Sequence, residues 1–143
     1  MDAELARLVA VLTASHGGQA VVRAPSALEG PLVARLQAAG WAAALVDRAP
    51  VFSRETLLHA AYQACELPAW FGFNWDALLD ALSTWSTRPG TLGGVLLFRD
   101  LGLLEERDPE AAATFLDVLR DAREARHAPL RLVLLEGPGR AAT

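Results

Sequence analysis

The N-terminal part of the chain alternates between helical and strand-like spacing of its apolar residues. In the first segment these residues recur at i, i+3, i+4 and i+7: Leu5, Leu8, Val9 and Leu12. This spacing predicts a helix that Asp2 caps and that Gly17-Gly18 ends. Residues 19–23 follow as a short, largely apolar run, which we interpret as a first strand.

A second unit of the same kind follows. Ser26 and Glu29 have the spacing of a capping box, and they precede a helical apolar pattern that ends at Gly40. Residues 41–46 then form a second strand candidate. Strand, helix and strand in this order predict a βαβ unit.

The remainder of the chain repeats this alternation. Ser53 and Asn74 are each predicted to cap a helix, and Asp108 with Pro109 marks the start of a long helix. The elements that these signals predict are helices 53–65, 74–84 and 108–126 and strands 94–98 and 130–135. Strands that alternate with helices imply an α/β fold, in which helices cover a small, mainly parallel sheet.

Composition limits the class of protein. The chain has 143 residues, of which 52% are hydrophobic, so we expect a single domain over residues 1–143 with a substantial core. No apolar run is long enough to span a membrane, and residues 1–4 lack the basic start of a signal peptide. Because Cys65 is the single cysteine, no internal disulfide can form, and we expect a cytoplasmic protein. The net charge of −4 argues against binding to nucleic acid or to an anionic membrane.

The segment from residue 66 to residue 85 differs from the rest of the chain. It contains five of the ten aromatic residues and the single asparagine, Asn74. From Glu55 to Thr87, both included, the chain has four acidic residues and neither Lys nor Arg. An acidic surface rich in aromatic side chains favours a basic protein partner, since aromatic anchors and desolvated charges carry much of the energy of an interface.

The helix that begins at Asn74 has two distinct faces. Its apolar residues form one stripe at the spacing of a core face: Trp75, Leu78, Leu79, Leu82 and Trp85. Asp76, Asp80 and Ser83 lie at i, i+4 and i+7 on another face. The helix dipole favours Asp76, so this residue is explained equally well as a charge that stabilises the helix start. Asp80 gains little from the dipole and repels Asp76 by roughly 0.2–0.5 kcal/mol, a cost typical of functional positions, although a solvated surface charge is the alternative.

The residues before this helix have structural and functional interpretations. Asn74 is predicted to be its N-cap, and Gly72 permits a tight turn of the backbone. Trp70 follows Pro68 in a predicted loop, where a large aromatic side chain is either a lid on the core or an anchor for a partner.

Residues 67–80, with the sequence LPAWFGFNWDALLD, resemble the signature of the barstar family, intracellular protein inhibitors of barnase-type ribonucleases. The order of elements over residues 41–135 is also similar to that family, whose core has three strands. The resemblance therefore divides the chain into a helix-strand-helix extension (1–40), a barstar-like core (41–135) and a tail (136–143). We expect strand 19–23 to add a fourth strand to the core.

In the barstar family the aromatic loop and the short helix block the active site of the ribonuclease. The resemblance implies that Asp80 is the central carboxylate at the phosphate site of the enzyme and that Asp76 pairs with a neighbouring Arg of the enzyme. It also implies partner contacts for Trp70 and Ser83, and a peripheral acidic contact for Asp121.

Two positions depart from the pattern of the family. Leu79 stands where the best-known member has an interface Trp, and Phe73 replaces a more polar residue and faces either the partner or the core. These departures leave the partner open. It is a basic extracellular ribonuclease or a related toxin nuclease in the first hypothesis, and a different basic toxin or a non-nuclease protein in the second.

An enzymatic alternative would use Asp76 and Asp80 as a catalytic pair, as in glycoside hydrolysis. Both are predicted to face outward from a helix and not into a cleft. His16, His59 and His127 are scattered without the spacing of metal ligands, and no glycine-rich phosphate loop follows the early strands. We therefore expect no enzymatic activity, no metal and no cofactor.

Overall fold

A computed structural model of the chain describes residues 2–14, 20–46, 50–99, 101–126 and 129–137. Its helices are α1 (Asp2–Thr13), α2 (Glu29–Ala38), α3 (Arg54–Ala64), α4 (Trp75–Ser86), α5 (Leu101–Arg107) and α6 (Pro109–Arg126). Its strands are β1 (Val21–Pro25), β2 (Ala42–Val46), β3 (Gly94–Arg99) and β4 (Leu130–Glu136). The predicted helix stop at Gly17-Gly18 and the predicted tail beyond Gly137 lie outside the described residues.

The four strands form one parallel sheet in the order β1-β4-β3-β2. β1 lies at one edge, where Val21 is opposite Leu132 of β4. β2 lies at the other edge, where Ala42 is opposite Gly94 of β3. The predictions of a parallel α/β sheet and of a fourth strand from the N-terminal segment are both confirmed.

Helices cover both faces of the sheet and divide the core into two. α1 and α2 pack on one face, where Val95 and Leu97 of β3 are fully buried. α3, α4, α5 and α6 pack on the opposite face, where the rings of Phe98 and Phe115 lie 5.5 Å apart. Because the central strands are buried on both faces, their sequences are almost continuously apolar.

The start of α2 differs from the predicted capping box. Ser26 is only 3% exposed, and it begins a 3-10 helix (Ser26–Leu28) that the sequence pattern did not indicate. Leu28 occupies the N-cap position of α2, and no side-chain hydrogen bond caps the helix there. Glu29 forms an ion pair with Arg99 at the end of β3. The capping-box prediction is therefore wrong, because a 3-10 turn joins β1 to α2. The predicted stop is confirmed at Gly40, whose φ of +90° suits glycine.

A buried arginine connects the N-terminal helix to the sheet. Arg131 of β4 donates hydrogen bonds to the main-chain oxygens of Leu12, at 3.2 Å, and Ala14, at 3.3 Å. Its guanidinium also lies 5.6 Å from the centre of the Trp41 ring. A cation at the C-terminal end of a helix satisfies carbonyl groups that have no partner within the helix, so Arg131 holds α1 against the sheet.

Candidate protein-binding site

The start of α4 is fixed by Asn74, as the sequence predicts. Its side-chain oxygen accepts a hydrogen bond from the main-chain N–H of Ala77 at 2.8 Å. Its side-chain amide donates to the main-chain oxygen of Gly72 at 3.2 Å. Asn74 thus both caps the helix and ties it to the preceding loop.

The loop before α4 turns sharply at an aromatic residue. Phe73 has a φ of 50°, in the left-handed region that residues other than glycine rarely adopt, whereas Gly72 does not have a positive φ. The tight turn that the sequence predicts at Gly72 therefore lies one residue later, at Phe73. A Cβ atom at Gly72 would lie 3.1 Å from the side-chain amide of Asn74, so Gly72 gives room to the capping residue.

The ring of Phe73 packs into an aromatic cluster that fixes this loop on α3. Its centre lies 4.4 Å from the ring of His59, 5.1 Å from that of Tyr62 and 4.9 Å from that of Phe71. A left-handed backbone at such a residue costs of order 1–3 kcal/mol and persists only where surrounding contacts determine it. The ring of Phe73 is half-buried, so most of its contacts are with its own chain.

Trp70 lies in the same loop with its side chain in solvent. It is 75% exposed, although Phe71 beside it is 4% exposed and belongs to the core. The main-chain N–H of Phe71 donates to the oxygen of Pro68 at 2.9 Å and closes the turn that carries Trp70. Trp70 is therefore not a lid on the core.

Trp70 and Asp80 line one cleft between the loop and α4. The cleft has a volume of about 170 Å3, and Leu67, Ala81 and Trp85 contribute to its apolar surface. Asp80 is exposed in the middle of α4, one turn after the exposed Asp76. An apolar depression with a carboxylate at its border is suited to a partner surface that presents a cation beside an apolar group.

Arg88 contributes to the lining of the same cleft. The sequence stretch without cations ends at Thr87, one residue before it, so the acidic character of this segment does not extend to the whole cleft. Cys65 lies beneath the cleft, and burial raises the pKa of its thiol to about 12. The thiol therefore stays protonated and unreactive at neutral pH.

Ser83 does not share the exposed face of Asp76 and Asp80. It is 2% exposed, and its hydroxyl donates to the main-chain oxygens of Leu79, at 2.8 Å, and Ala122, at 3.3 Å. The prediction that Ser83 shares a face with Asp76 and Asp80 is wrong, because α6 packs against this side of α4. A direct partner contact at Ser83 is accordingly not available on the described surface.

α4 and α6 run side by side in the same direction. Trp75 at the start of α4 lines a cleft with Thr114 in the first half of α6, whereas Ser83 near the end of α4 meets Ala122. This arrangement brings Asp121, which is exposed, close to the C-terminal half of α4. Its carboxylate lies 3.6 Å from the guanidinium of Arg120.

Asp76 and Asp80 form the acidic face of α4. Leu79 is half-buried and borders this face, as its position in the helix predicts.

Within the described ranges, no group of three or more His, Cys, Asp and Glu side chains is placed to hold a metal ion. None of the helices described is both long and apolar enough to cross a membrane.

Comparison with known proteins identifies one family. The family model for barstar, described as a barnase inhibitor, matches residues 41–135, about two thirds of the chain. The match begins just before β2 and ends within β4, so α1, β1 and α2 lie outside it. A search among curated proteins gave no match.

Proposed function

The chain belongs to the barstar family, and we propose that it inhibits a basic ribonuclease by occupying the active site with the Trp70 loop and the acidic face of α4. The observation that carries this proposal is the shared cleft of Trp70 and Asp80. An exposed aromatic side chain and an exposed carboxylate on one surface provide both an apolar anchor and a charge for a cationic partner.

The chemistry of the target supports this assignment. A ribonuclease must stabilise an anionic phosphate in its transition state, and it does so with cationic side chains in its active site. A carboxylate on a helix meets those cations with little loss of conformational freedom, since the helix is already ordered. α4 is held by the Asn74 cap at one end and by the contact of Ser83 with α6 near the other.

The proposal gives each residue the role that the family resemblance implies, and the positions of these residues support it. Asp80 meets the cations at the phosphate site, and Asp76 pairs with a neighbouring cation of the enzyme. Trp70 inserts as the apolar anchor, with Leu79 beside it. Asp121 contributes at the periphery, where a charge changes the rate of association more than the affinity.

A second function is favoured by one specific residue. Leu79 stands where the best-known member of the family has an interface Trp, and a leucine offers less contact area than an indole. The alternative is therefore a barstar-like domain that binds a different basic toxin or a non-nuclease protein.

A titration of ribonuclease activity distinguishes the two. The full chain is added to a barnase-type ribonuclease, and RNA cleavage is followed together with complex formation. We expect inhibition that is stoichiometric and competitive with RNA. A complex in which the enzyme retains full activity would contradict the active-site mechanism and favour the alternative, and a basic protein without ribonuclease activity serves as the control for charge alone.

A further inference from the structure

One strand of the sheet is covered on a single face. Val22 and Ala24 of β1 are buried under α1 and α2. The residues that alternate with them, Val21, Arg23 and Pro25, are exposed on the side of α6. Parallel strands are normally buried on both faces. The helices on the α6 side therefore leave β1 open.

The open face of β1 forms one wall of an apolar groove, and α6 forms the other. The groove has a volume of about 150 Å3 and is lined by Leu119, Leu130 and Leu132 among others. At its borders Val21 is 46% exposed and Leu116 is 36% exposed. This space suits a large apolar side chain from outside the described chain.

Arginine side chains border the same groove. Arg120, Arg123 and Arg131 all contribute to its lining. Arg120 is already paired, since its guanidinium lies 3.3 Å from the carboxylate of Asp117 and 3.6 Å from that of Asp121.

Arg123 is the cation available to an incoming ligand. It forms no ion pair with any described residue, and it stands near Arg131, whose described hydrogen bonds go only to main-chain oxygens. The pKa of Arg131 is lowered, first by burial and then by the charge of Arg123. The groove thus carries positive charge that the described part of the chain does not neutralise.

We propose that the groove between α6 and β1 binds an acidic segment of a second protein partner, with an apolar side chain of that segment in the groove and a carboxylate at Arg123. A charge-assisted pair between a guanidinium and a carboxylate gives both strength and orientation to such a contact. The partner is thus of opposite charge to the ribonuclease proposed above.

Two other occupants fit the groove less well. A second copy of this chain would bring the same arginines face to face, and like charges across an interface cost several kcal/mol in general. The edge of β1 that pairs with no described strand is also poorly suited to pairing with another chain, since β1 carries the charged Arg23 and ends at Pro25. RNA is disfavoured by the apolar lining and by the net charge of −4.

The groove lies on a different side of α6 from the proposed ribonuclease site, and the two adjoin at the ion pair of Arg120 with Asp121. Asp121 and Arg123 are two residues apart on α6, and two residues of a helix are rotated by about 200°. They therefore project to nearly opposite sides of α6. β1 also lies outside the segment that matches the barstar family, so one wall of the groove is a feature of the N-terminal extension.

Selection from a library of random displayed peptides tests this proposal with the full chain as the target. We expect the selected peptides to combine Asp or Glu with Leu or Phe. A fluorescent synthetic peptide of the selected sequence should lose about tenfold or more in affinity to Arg123→Glu and to Leu116→Asp. A counterpart with Lys in place of its acidic residues should not bind.

Arg35→Glu is the matched control, because Arg35 is exposed on α2 and its replacement changes the net charge equally. The proposal is overturned if no acidic and apolar consensus emerges, or if Arg123→Glu binds the selected peptide as wild type does. It is also overturned if light scattering shows that the chain forms a dimer and that Leu116→Asp dissociates this dimer. The same holds if labelled single-stranded RNA binds the wild-type chain and no longer binds the Arg123→Glu variant. Circular dichroism verifies that each variant is folded.

Discussion

The hydroxyl of Ser83 in α4 lies 3.3 Å from the main-chain oxygen of Ala122 in α6, so this serine joins two helices at a buried contact. The small size of the side chain is what allows the helices to approach there. The hydrogen bonds of the hydroxyl contribute less to stability, since the carbonyl groups that accept them, those of Leu79 and Ala122, also belong to helices.

Two substitutions at Ser83 separate size from hydrogen bonding. Ser83→Ala should lower the free energy of unfolding by no more than about 1 kcal/mol. Ser83→Leu should lower it by about 1–3 kcal/mol, because the larger side chain separates α4 from α6. Urea unfolding measures both, and a Ser83→Leu protein as stable as wild type would place the residue on the surface instead.

Asp80→Ala is expected to weaken ribonuclease binding by on the order of 2–5 kcal/mol, since it leaves cations of the partner unpaired in the complex. Asp76→Ala and Asp121→Ala should have smaller effects. The loss should appear mainly in the dissociation rate, which surface plasmon resonance measures. Stability should change little, because even an exposed ion pair contributes only about 0–1 kcal/mol to folding.

Asp117→Ala is the control for Asp80→Ala, since it also removes an exposed carboxylate and lies on α6. If Asp80→Ala binds within about 1 kcal/mol of wild type while melting normally, Asp80 is not a central hot spot and the active-site mechanism is wrong.

Trp70→Ala should reduce ribonuclease binding by about 2 kcal/mol or more and leave stability within about 0.5 kcal/mol of wild type. The reason is that its side chain is 75% exposed in the free protein, so folding gains little from it. Leu92→Ala provides a comparison at another exposed apolar residue, 65% exposed. Calorimetric titration and thermal melting measure the two quantities, and a large loss of stability in Trp70→Ala would assign the residue to the fold.

The buried thiol of Cys65 predicts a dependence of stability on alkaline pH. In the folded protein burial raises its pKa to about 12 from an ordinary value of 9.0. Between these values the unfolded chain has lost the proton that the folded chain keeps, so stability falls as pH rises from about 9 towards 12, by roughly 1 kcal/mol per pH unit. Unfolding in urea near pH 8 and near pH 10 measures this slope. The slope should be shallower in Cys65→Ala, and equal slopes in the two proteins would contradict the prediction.

The sequence predicts the α/β architecture because each element carries its own local signal. The Asn74 cap and the apolar stripe of α4 are both local patterns, and the structure contains both. The fourth strand is predictable for the same reason, since strand, helix and strand follow each other from residue 19 to residue 46. The pairing of β1 with β4 joins segments more than 100 residues apart in sequence, and no local pattern indicates it.

The features that the sequence did not predict depend on tertiary packing. Ser83 has the helical spacing of an exposed residue, and only the position of α6 buries it. Arg88 follows the acidic segment in sequence, yet the end of α4 places it beside the cleft. α5 has seven residues, too few for helical periodicity to identify it, and Gly102 within it suggests a loop.

The position of β1 in the sheet has a consequence for how the protein is made. Among the described strands β1 pairs with β4 alone, and β4 is synthesised after the other three, while β2 and β3 pair with each other earlier. Until residues 130–136 have been synthesised, β1 lacks the one described strand that pairs with it, and its backbone N–H and C=O groups remain open to other chains. Such partly folded chains are prone to aggregate, so a nascent chain of this protein is most exposed to chaperones, and most dependent on them, just before its synthesis reaches β4.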